Sequence, residues 1–312
     1  MAFDASKYTK IKGFTVPKSF RPAALTAEAK EWFYGRTILP AAITYMRFQG
    51  LDITVEGAEN MPVDGGAMVA VNHTGYFDFV YGGIPAFLNG RRLVRFMAKK
   101  EIFDNKIAGP LMRKMKHIEV DRFAGRGAYE EAVRRLRAGA LVGIFPEATI
   151  SRTFELKEFK NGAARIAAEA DAPLIPMVIW GSQRIWTKGH PKRLGRTNTP
   201  VFIRVGAPVD PNGDPDAAIQ RLKDAMQVLL DRVRDDYGRA YGPFPAGEYW
   251  IPNADGGSAP TLTDARRIDT EARAAKAAKK EAAASAKLDK RADAILGNAR
   301  TFIDQVKEKL RR

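Results

Sequence analysis

"GAMVAVNHTGYFDF", residues 66 to 79, runs from an unbroken apolar stretch into a polar turn and then into aromatic residues. A stretch apolar at nearly every position suits a strand covered on both faces, because a half-solvated strand alternates. Asn72, His73 and Thr74 end the run, Gly75 eases a turn, and residues 77–88 carry a helical pattern. A buried strand that turns into a helix is the repeating unit of an α/β fold. The turn then sits at the carboxyl end of the strand, where such sheets bind ligands.

The same alternation extends in both directions. Candidate strands are "DITVEG" (52–57), "LVRFMA" (93–98), "HIEV" (117–120), "ALVGIF" (140–145), "PLIPMVIW" (173–180) and "VFIRVG" (201–206). Helical patterns lie between them near 105–115, 126–138 and 159–170. The fold class is α/β, a mostly parallel or mixed central sheet with helices on both faces. Residues 214–237 follow as a helix with Ile219, Leu222, Met226, Leu229, Leu230 and Val233 on one face.

The flanks differ from this middle. Residues 1–25 read as an irregular basic lead-in. Residues 26–48 hold Trp32, Phe33, Tyr34, Tyr45, Met46 and Phe48, with Thr26 as a helix cap and Pro40 as a break. They predict an N-terminal helical pair, either packed on the core or lying in a lipid headgroup layer. "YGPFPAGEYWIPNADGGSAPT" (241–261) reads as an ordered loop rich in Gly, Pro and aromatic residues. Residues 263–312 are rich in Ala and charge and predict a C-terminal helical extension. The expected divisions are a helical, membrane-associating segment over 1–50, an α/β domain over 51–238, and the loop with its basic helical tail over 239–312.

Lys and Arg number 51 against 36 Asp and Glu, a formal charge of +15, so an anionic partner is expected. Residues 91–126 alone carry 11 Lys and Arg against 4 acidic residues. Basic residues are not interleaved with a base-stacking motif, which argues against nucleic acid. The absence of cysteine excludes disulfides, thiolate nucleophiles and Cys-ligated metals. "MAFDASKYTKIKGF" lacks the apolar core of a signal peptide, and no stretch of 18 apolar residues predicts a transmembrane helix.

Three groups of residues have the composition of a site. His73 and Asp78, five apart, can meet if His73 lies in the turn and Asp78 in the first helical turn. Asp78 would then fix the imidazole tautomer and leave the other nitrogen as a base. A satisfied loop histidine beside an unrelated Asp is the alternative. His117 and His190 stand far off in sequence with no His–Glu ligand motif, so no metal is expected, and no Gly-x-Ser-x-Gly elbow is present. "GIFPEATISR" (143–152) places Glu147, Thr149, Ser151 and Arg152 after a strand that Pro146 stops, either as an oxyanion site or as an ordinary turn. In "EFKNGAARIAAEADAPLIPMVIWG" (158–181), Lys160, Asn161 and Gly162 open a small-residue helix whose N-terminus favours an anion.

Together these resemble the glycerolipid acyltransferases of the 1-acylglycerol-3-phosphate acyltransferase type. "NHTGYFD" resembles that family's Asn-His-x4-Asp block and "FPEATISR" its Phe-Pro-Glu-Gly-Thr-Arg-Ser block. "FKNGAARIA" resembles its Phe-Lys-x-Gly-Ala block and "APLIPMVIWG" its Pro-Val-x-Pro-Val block. "MAKKEIFDNKIAGPLMRKMKHIEVDR" (97–122) resembles the intervening segment. The likeness covers about residues 50–210, with the blocks in family order.

The resemblance implies a peripheral enzyme on the cytoplasmic face of a membrane that moves a fatty acyl group from acyl-CoA or acyl carrier protein to a lysophospholipid hydroxyl. No cofactor beyond that co-substrate is implied. His73 would be the general base and Asp78 its orienting carboxylate, with backbone amides near the strand ends holding the oxyanion. Glu147, Thr149, Ser151 and Arg152, with Lys99, Lys100, Arg122 and Lys160, would serve the acceptor and its phosphate. Asn72, Gly75, Pro146, Gly162 and Pro176 would be structural, and Glu147, an acceptor-only group when ionised, suits a structural or hydrogen-bonding role. Two positions depart from the pattern: Ala148 stands for the usual Gly and Ile150 for the usual Arg, a phosphate contact in the family. Arg152 would substitute only if the loop backbone shifts. The departure opens other acceptors, such as another lysophospholipid or a glycolipid, and a non-catalytic lipid-surface protein is the alternative of a different class.

Overall fold

The computed structural model describes residues 4–121 and 125–279, with isolated positions as far as 303. Residues 4–259 and those from 260 onward form two compact units. The first contains a nine-stranded sheet: β1 (Tyr8–Ile11), β2 (Phe14–Pro17), β3 (Asp52–Glu56), β4 (Ala67–Val71), β5 (Val94–Lys99), β6 (Ile118–Val120), β7 (Leu141–Ile144), β8 (Leu174–Trp180) and β9 (Pro200–Val205). The spatial order is β1-β2-β3-β9-β8-β4-β7-β5-β6. β1 runs antiparallel to β2 and β8 antiparallel to β9, and the other pairs are parallel. The sheet is therefore mixed. Its middle strands β8, β4, β7 and β5 are mutually parallel and bring their carboxyl ends to one edge.

Strand alternation divides the core. On β4, Ala67, Val69 and Val71 join one buried cluster and Met68 and Ala70 the other. The first cluster takes α1 (Leu39–Phe48), α2 (Asp78–Tyr81) and α3 (Ile84–Leu88) through Leu39, Met46, Tyr81, Ile84 and Phe87. The second takes α6 (Gly125–Arg137), α7 (Gly162–Glu169) and α8 (Pro215–Tyr241) through Leu136, Ile166, Leu222 and Met226. Two short helices, α4 (Lys100–Phe103) and α5 (Ala108–Lys114), lie between β5 and β6. The six residues proposed for the inward face of α8 are all buried, and Asp214 caps that helix by accepting from the Ala217 amide at 2.8 Å.

The N-terminal expectations need correction. Residues 8–17 are not an irregular lead-in but a hairpin turned at Lys12 and Gly13, both at positive φ. Phe14 and Val16 point into the core while the exposed side of β1 carries Lys10, so the basic residues hide an ordinary edge hairpin. Thr26 makes no side-chain cap, and Glu28 and Glu31 bond Arg92 and Arg95 on the domain at 2.9 and 2.6 Å. Pro40 does not split a helical pair. Residues 34–38 wind as a π-helix that runs directly into α1, with Arg36 and Ile38 donating five residues back. The wider turn accommodates a ring that would strike the preceding carbonyl of an α-helix.

At the other end, the expected boundary at 238 falls inside the first unit. The loop after α8 folds back so that Trp250, 2% exposed, packs against Trp180, Tyr237 and Phe244. In the second unit residues 262–279 are helical, as the composition predicts, and most of the tail's second, amphipathic segment lies outside the described residues.

Gly143 on β7 is closely packed against the side chain of a neighbouring strand. A Cβ there would meet the Phe96 ring at 2.6 Å. Gly143→Ala is expected to lower unfolding stability by about 1–3 kcal/mol, as overpacking does, read from the denaturant midpoint.

Candidate active site

The site grows from the end of β4. Asn72 continues the strand with its side chain, donating to the Ile179 carbonyl at 3.1 Å and accepting from the Ile179 amide at 2.7 Å. This double bond to β8 fixes where the chain leaves the sheet. The turn then folds over Asp78, the first residue of α2, whose side chain has no exposed surface. Asp78 Oδ2 receives the amides of Thr74 and Gly75, each at 2.7 Å, and lies 3.0 Å from His73 Nδ1. Asp78 Oδ1 accepts from the Ser182 hydroxyl at 2.6 Å. Crowding favours Gly75, since a Cβ would meet Ser182 Oγ at 3.1 Å and Asp78 Oδ1 at 3.2 Å.

A carboxylate facing Nδ1 holds the proton there and leaves Nε2 as the basic nitrogen. The imidazole stacks on Phe145 with ring centroids 4.1 Å apart, and Phe145 in turn stacks on Phe96 at 5.4 Å. With 18% of its side chain exposed, His73 is held in place yet reachable. The geometry is that of an oriented general base.

The loop after β7 clasps the backbone of the same histidine. Glu147 Oε1 accepts from the His73 amide at 2.9 Å and Oε2 from the Lys157 amide at 3.3 Å, while the Ser151 amide donates to the His73 carbonyl at 2.7 Å. Glu147 is buried, and burial pushes its carboxyl up to about 8, against the pull of the His73 and Lys157 amides. Ala148 sits at a φ of 58°, the left-handed region where the family's Gly carries no steric cost. Ile150 is 3% exposed.

The remaining candidates divide. Thr149 Oγ1 accepts from Lys157 Nζ at 2.6 Å. Ser151 is not placed for an acceptor: its buried hydroxyl is spent on the Glu155 carbonyl and Thr153. Arg152 cannot slide into the place of Ile150, because the bond from Ser151 to His73 fixes the loop, and its Nη1 lies against Gly189. Lys100 is exposed and paired with Asp104 and Glu119 at 3.6 and 3.1 Å, and Lys99 is exposed at the end of β5. Lys160 is exposed, with its amide on the Pro146 carbonyl. Arg122 lies outside the described residues. Gly162 opens α7 with open space where a Cβ would stand, and the Pro176 carbonyl accepts from Gly206. His117 is buried, accepts from the Phe96 amide at 2.9 Å and is pushed down to about 3 by burial, while His190 stacks on Tyr249.

Sequence reasoning missed Phe145, Lys157 and Ser182. Ser182 follows the last quoted block by one residue, at the carboxyl end of the strand next to β4, and that adjacency was the available signal.

Residues 52–180, from β3 to the end of β8, match the acyltransferase family profile. Over 144 residues the chain is 34% identical to a 1-acyl-sn-glycerol-3-phosphate acyltransferase of Bacillus subtilis, spanning 45% of this chain and 70% of that protein. The chain belongs to the glycerolipid acyltransferase family. A chloroplastic 1-acyl-sn-glycerol-3-phosphate acyltransferase of Arabidopsis thaliana is 30% identical over 155 residues, which are 48% of this chain and 42% of the plant protein. A crystal structure of the corresponding Thermotoga maritima acyltransferase aligns with a TM-score of 0.47 and 25% identity, covering 70% of this chain and 93% of that one. The present chain is thus an acyltransferase, and the matched region holds His73, Asp78 and Glu147.

The acyltransferase should show the Glu147 carboxyl in its pH-dependent stability. A carboxyl raised on folding contributes fully below its ordinary value near 4.5 and loses that contribution as pH rises toward about 8. Measured against Glu147→Gln, which has no such titration, the wild type should lose a few kcal/mol between those pH values. A parallel pair of stability curves would contradict this assignment.

Proposed function

We propose that this acyltransferase moves a fatty acyl group from acyl-CoA or acyl carrier protein to the free hydroxyl of 1-acylglycerol 3-phosphate, forming phosphatidic acid at a membrane surface. The observation that carries the reading is the His73–Asp78 pair, with Nδ1 held at 3.0 Å by a carboxylate that three further donors fix. His73 Nε2 removes the proton of the acceptor hydroxyl as its oxygen attacks the thioester carbonyl. Asp78 supports the imidazolium so formed. Collapse of the tetrahedral intermediate breaks the carbon–sulfur bond, and the imidazolium returns its proton to the departing thiolate. Base and acid are the same nitrogen, so no covalent acyl-enzyme is needed.

His73→Ala is expected to cut acyl transfer by about 10²–10⁴-fold, and Asp78→Asn to lower it by favouring the wrong tautomer. Turnover of long-chain acyl-CoA with 1-acylglycerol 3-phosphate is the assay, and an undiminished rate in a folded His73→Ala protein would overturn the mechanism. The buried Ile150 favours a second reading in which another lysophospholipid or a glycolipid is the acceptor. A panel of acceptors separates the two: the first fails if 1-acylglycerol 3-phosphate is inert while another lipid is acylated.

Attachment to the membrane is proposed to be peripheral. No helix among the described residues is long and apolar enough to cross a bilayer. Trp32 and Phe48 are each 62% exposed, Ile107 is 79% exposed, and Lys114 lies 4.8 Å from the Trp32 ring. Aromatic and aliphatic tips beside a cation suit a headgroup layer. Trp32→Ser with Ile107→Ser should reduce co-sedimentation with anionic vesicles several-fold, and unchanged co-sedimentation would remove this surface from the proposal.

A further inference from the structure

We infer that Ser182 is a positioning residue for acyl transfer: its hydroxyl fixes the Asp78 carboxylate and, through it, the His73 ring. The inference rests on His73 as the base proposed above.

The hydrogens of this cluster can be assigned one by one. Asp78 Oδ2 accepts from the amides of Thr74 and Gly75, each at 2.7 Å, and faces His73 Nδ1 at 3.0 Å. Asp78 Oδ1 lies 2.6 Å from Ser182 Oγ. An ionised carboxylate has no hydrogen to give, so the single hydroxyl hydrogen of Ser182 points at Asp78. The Thr74 hydroxyl, 3.2 Å from Ser182 Oγ, is then the donor of that pair. One directed chain runs from Thr74 to Ser182 to Asp78 and meets His73 at the other carboxyl oxygen. Thr74, Ser182 and Asp78 are all buried.

The donors to the two oxygens differ in what they are attached to. Those on Oδ2 come from residues 73–75, inside the turn that Asp78 itself closes, and they move with it. Ser182 is 104 residues away and ties Oδ1 to the end of β8. An Asp carboxylate turns about its Cβ–Cγ bond in a broad energy minimum, so a hold on both oxygens narrows what the local amides leave soft. Ser182 reaches this place through a turn that glycine fits: Gly181 has a φ of 98°, and a Cβ there would meet the Pro200 carbonyl oxygen at 2.3 Å. Ile179, three residues before Ser182, takes both hydrogen bonds of Asn72. The strand that carries Ser182 and the strand that leads to His73 are therefore locked beside each other.

The following residues hold the same turn in another way. The Trp186 carbonyl accepts from the Tyr76 amide at 2.9 Å, and the Thr187 hydroxyl donates to the Thr74 carbonyl at 2.6 Å. These bonds anchor the main chain, whereas Ser182 bonds the carboxylate. A donor on Oδ1 also draws charge from the carboxylate, which by itself would weaken its hold on an imidazolium. Orientation outweighs that loss. Without Ser182, a buried oxygen left unpaired would draw the carboxylate toward other donors, the freed Thr74 hydroxyl among them, and away from the ring.

The test uses the full chain, with turnover of long-chain acyl-CoA and the lysolipid acceptor it acylates best. Ser182→Ala should lower kcat by roughly 10- to 100-fold, the range of one hydrogen bond to a charged group, with both KM values nearly unchanged. Thr187→Val should lower the unfolding temperature and leave kcat near that of wild type. In an Asp78→Asn background the further cost of Ser182→Ala should fall to about 3-fold or less, because the carboxylate it acts through is gone. Nitrogen NMR of isotopically labelled histidine supplies a readout without turnover, the His73 signals being those lost in His73→Ala. Wild type should carry the His73 proton on Nδ1, and Ser182→Ala should broaden that signal through exchange with water while those of His117 and His190 stay in place. Unchanged or raised kcat in a folded Ser182→Ala protein overturns the inference and, if His73→Ala is inactive, leaves the base reading intact. An equal loss in Thr187→Val, an equal loss in the Asp78→Asn background, or an unaltered His73 spectrum also overturns it. Full turnover in a folded His73→Ala protein is the separate result that removes the base, and this inference with it.

Discussion

The buried carboxylate of Asp78 is the constraint around which the site is arranged. A lone ionised carboxylate without solvent exposure would cost several kcal/mol, so it must be surrounded by donors. Two come from backbone amides of the turn, one from His73 and one from Ser182. Each donor fixes something else. The amides of Thr74 and Gly75 set the shape of the turn, Ser182 fastens the end of β8 to the start of α2, and His73 acquires a defined tautomer. The orientation of the His73 ring and the local fold are therefore satisfied by the same four hydrogen bonds.

That arrangement is available only because β4 lies between β7 and β8 with all three parallel. Three carboxyl ends emerge side by side, and each contributes one kind of group. β4 leads to His73 and Asp78, β8 to the hydroxyl that braces the Asp78 carboxylate, and β7 to Phe145 and Glu147, which hold the ring and the backbone of His73. Gly143 lets β7 approach Phe96 closely enough for the stack of Phe96, Phe145 and His73 to form. A core contact several residues away thus reaches the imidazole through aromatic rings alone.

Seven of the nine strands were legible because burial on both faces writes itself as continuous apolar runs. The hairpin of β1 and β2 was not, because an edge strand carries lysines that blur the alternation of Phe14 and Val16. Pro40 misled for a different reason: the rule that proline ends a helix assumes α-helical bonding, and a π-turn relieves the clash. His73 and Asp78 were legible as a local pair, five residues apart. Ser182, 104 residues from Asp78, was not, since nothing in a local pattern encodes which strand ends become neighbours. Ser151 shows the reverse error. A polar residue in a site motif invites a ligand-binding role, yet its hydroxyl serves the loop.

The two departures from the family pattern have different physical weights. Ala148 occupies a left-handed position that glycine would fill without strain, so the substitution bears on the stability of the turn and leaves its hydrogen bond to Phe145 intact, at 2.9 Å. Ile150 changes the chemistry, because a guanidinium is exchanged for a side chain that belongs in the interior. Burying Ile150 strengthens the anchoring of the loop that clasps His73, while the charge that an anionic acceptor requires must come from elsewhere. The amide of Lys157 closes the Glu147 clasp on the other carboxyl oxygen. His73, Glu147, Lys157 and Thr149 are then consecutive members of one hydrogen-bonded chain.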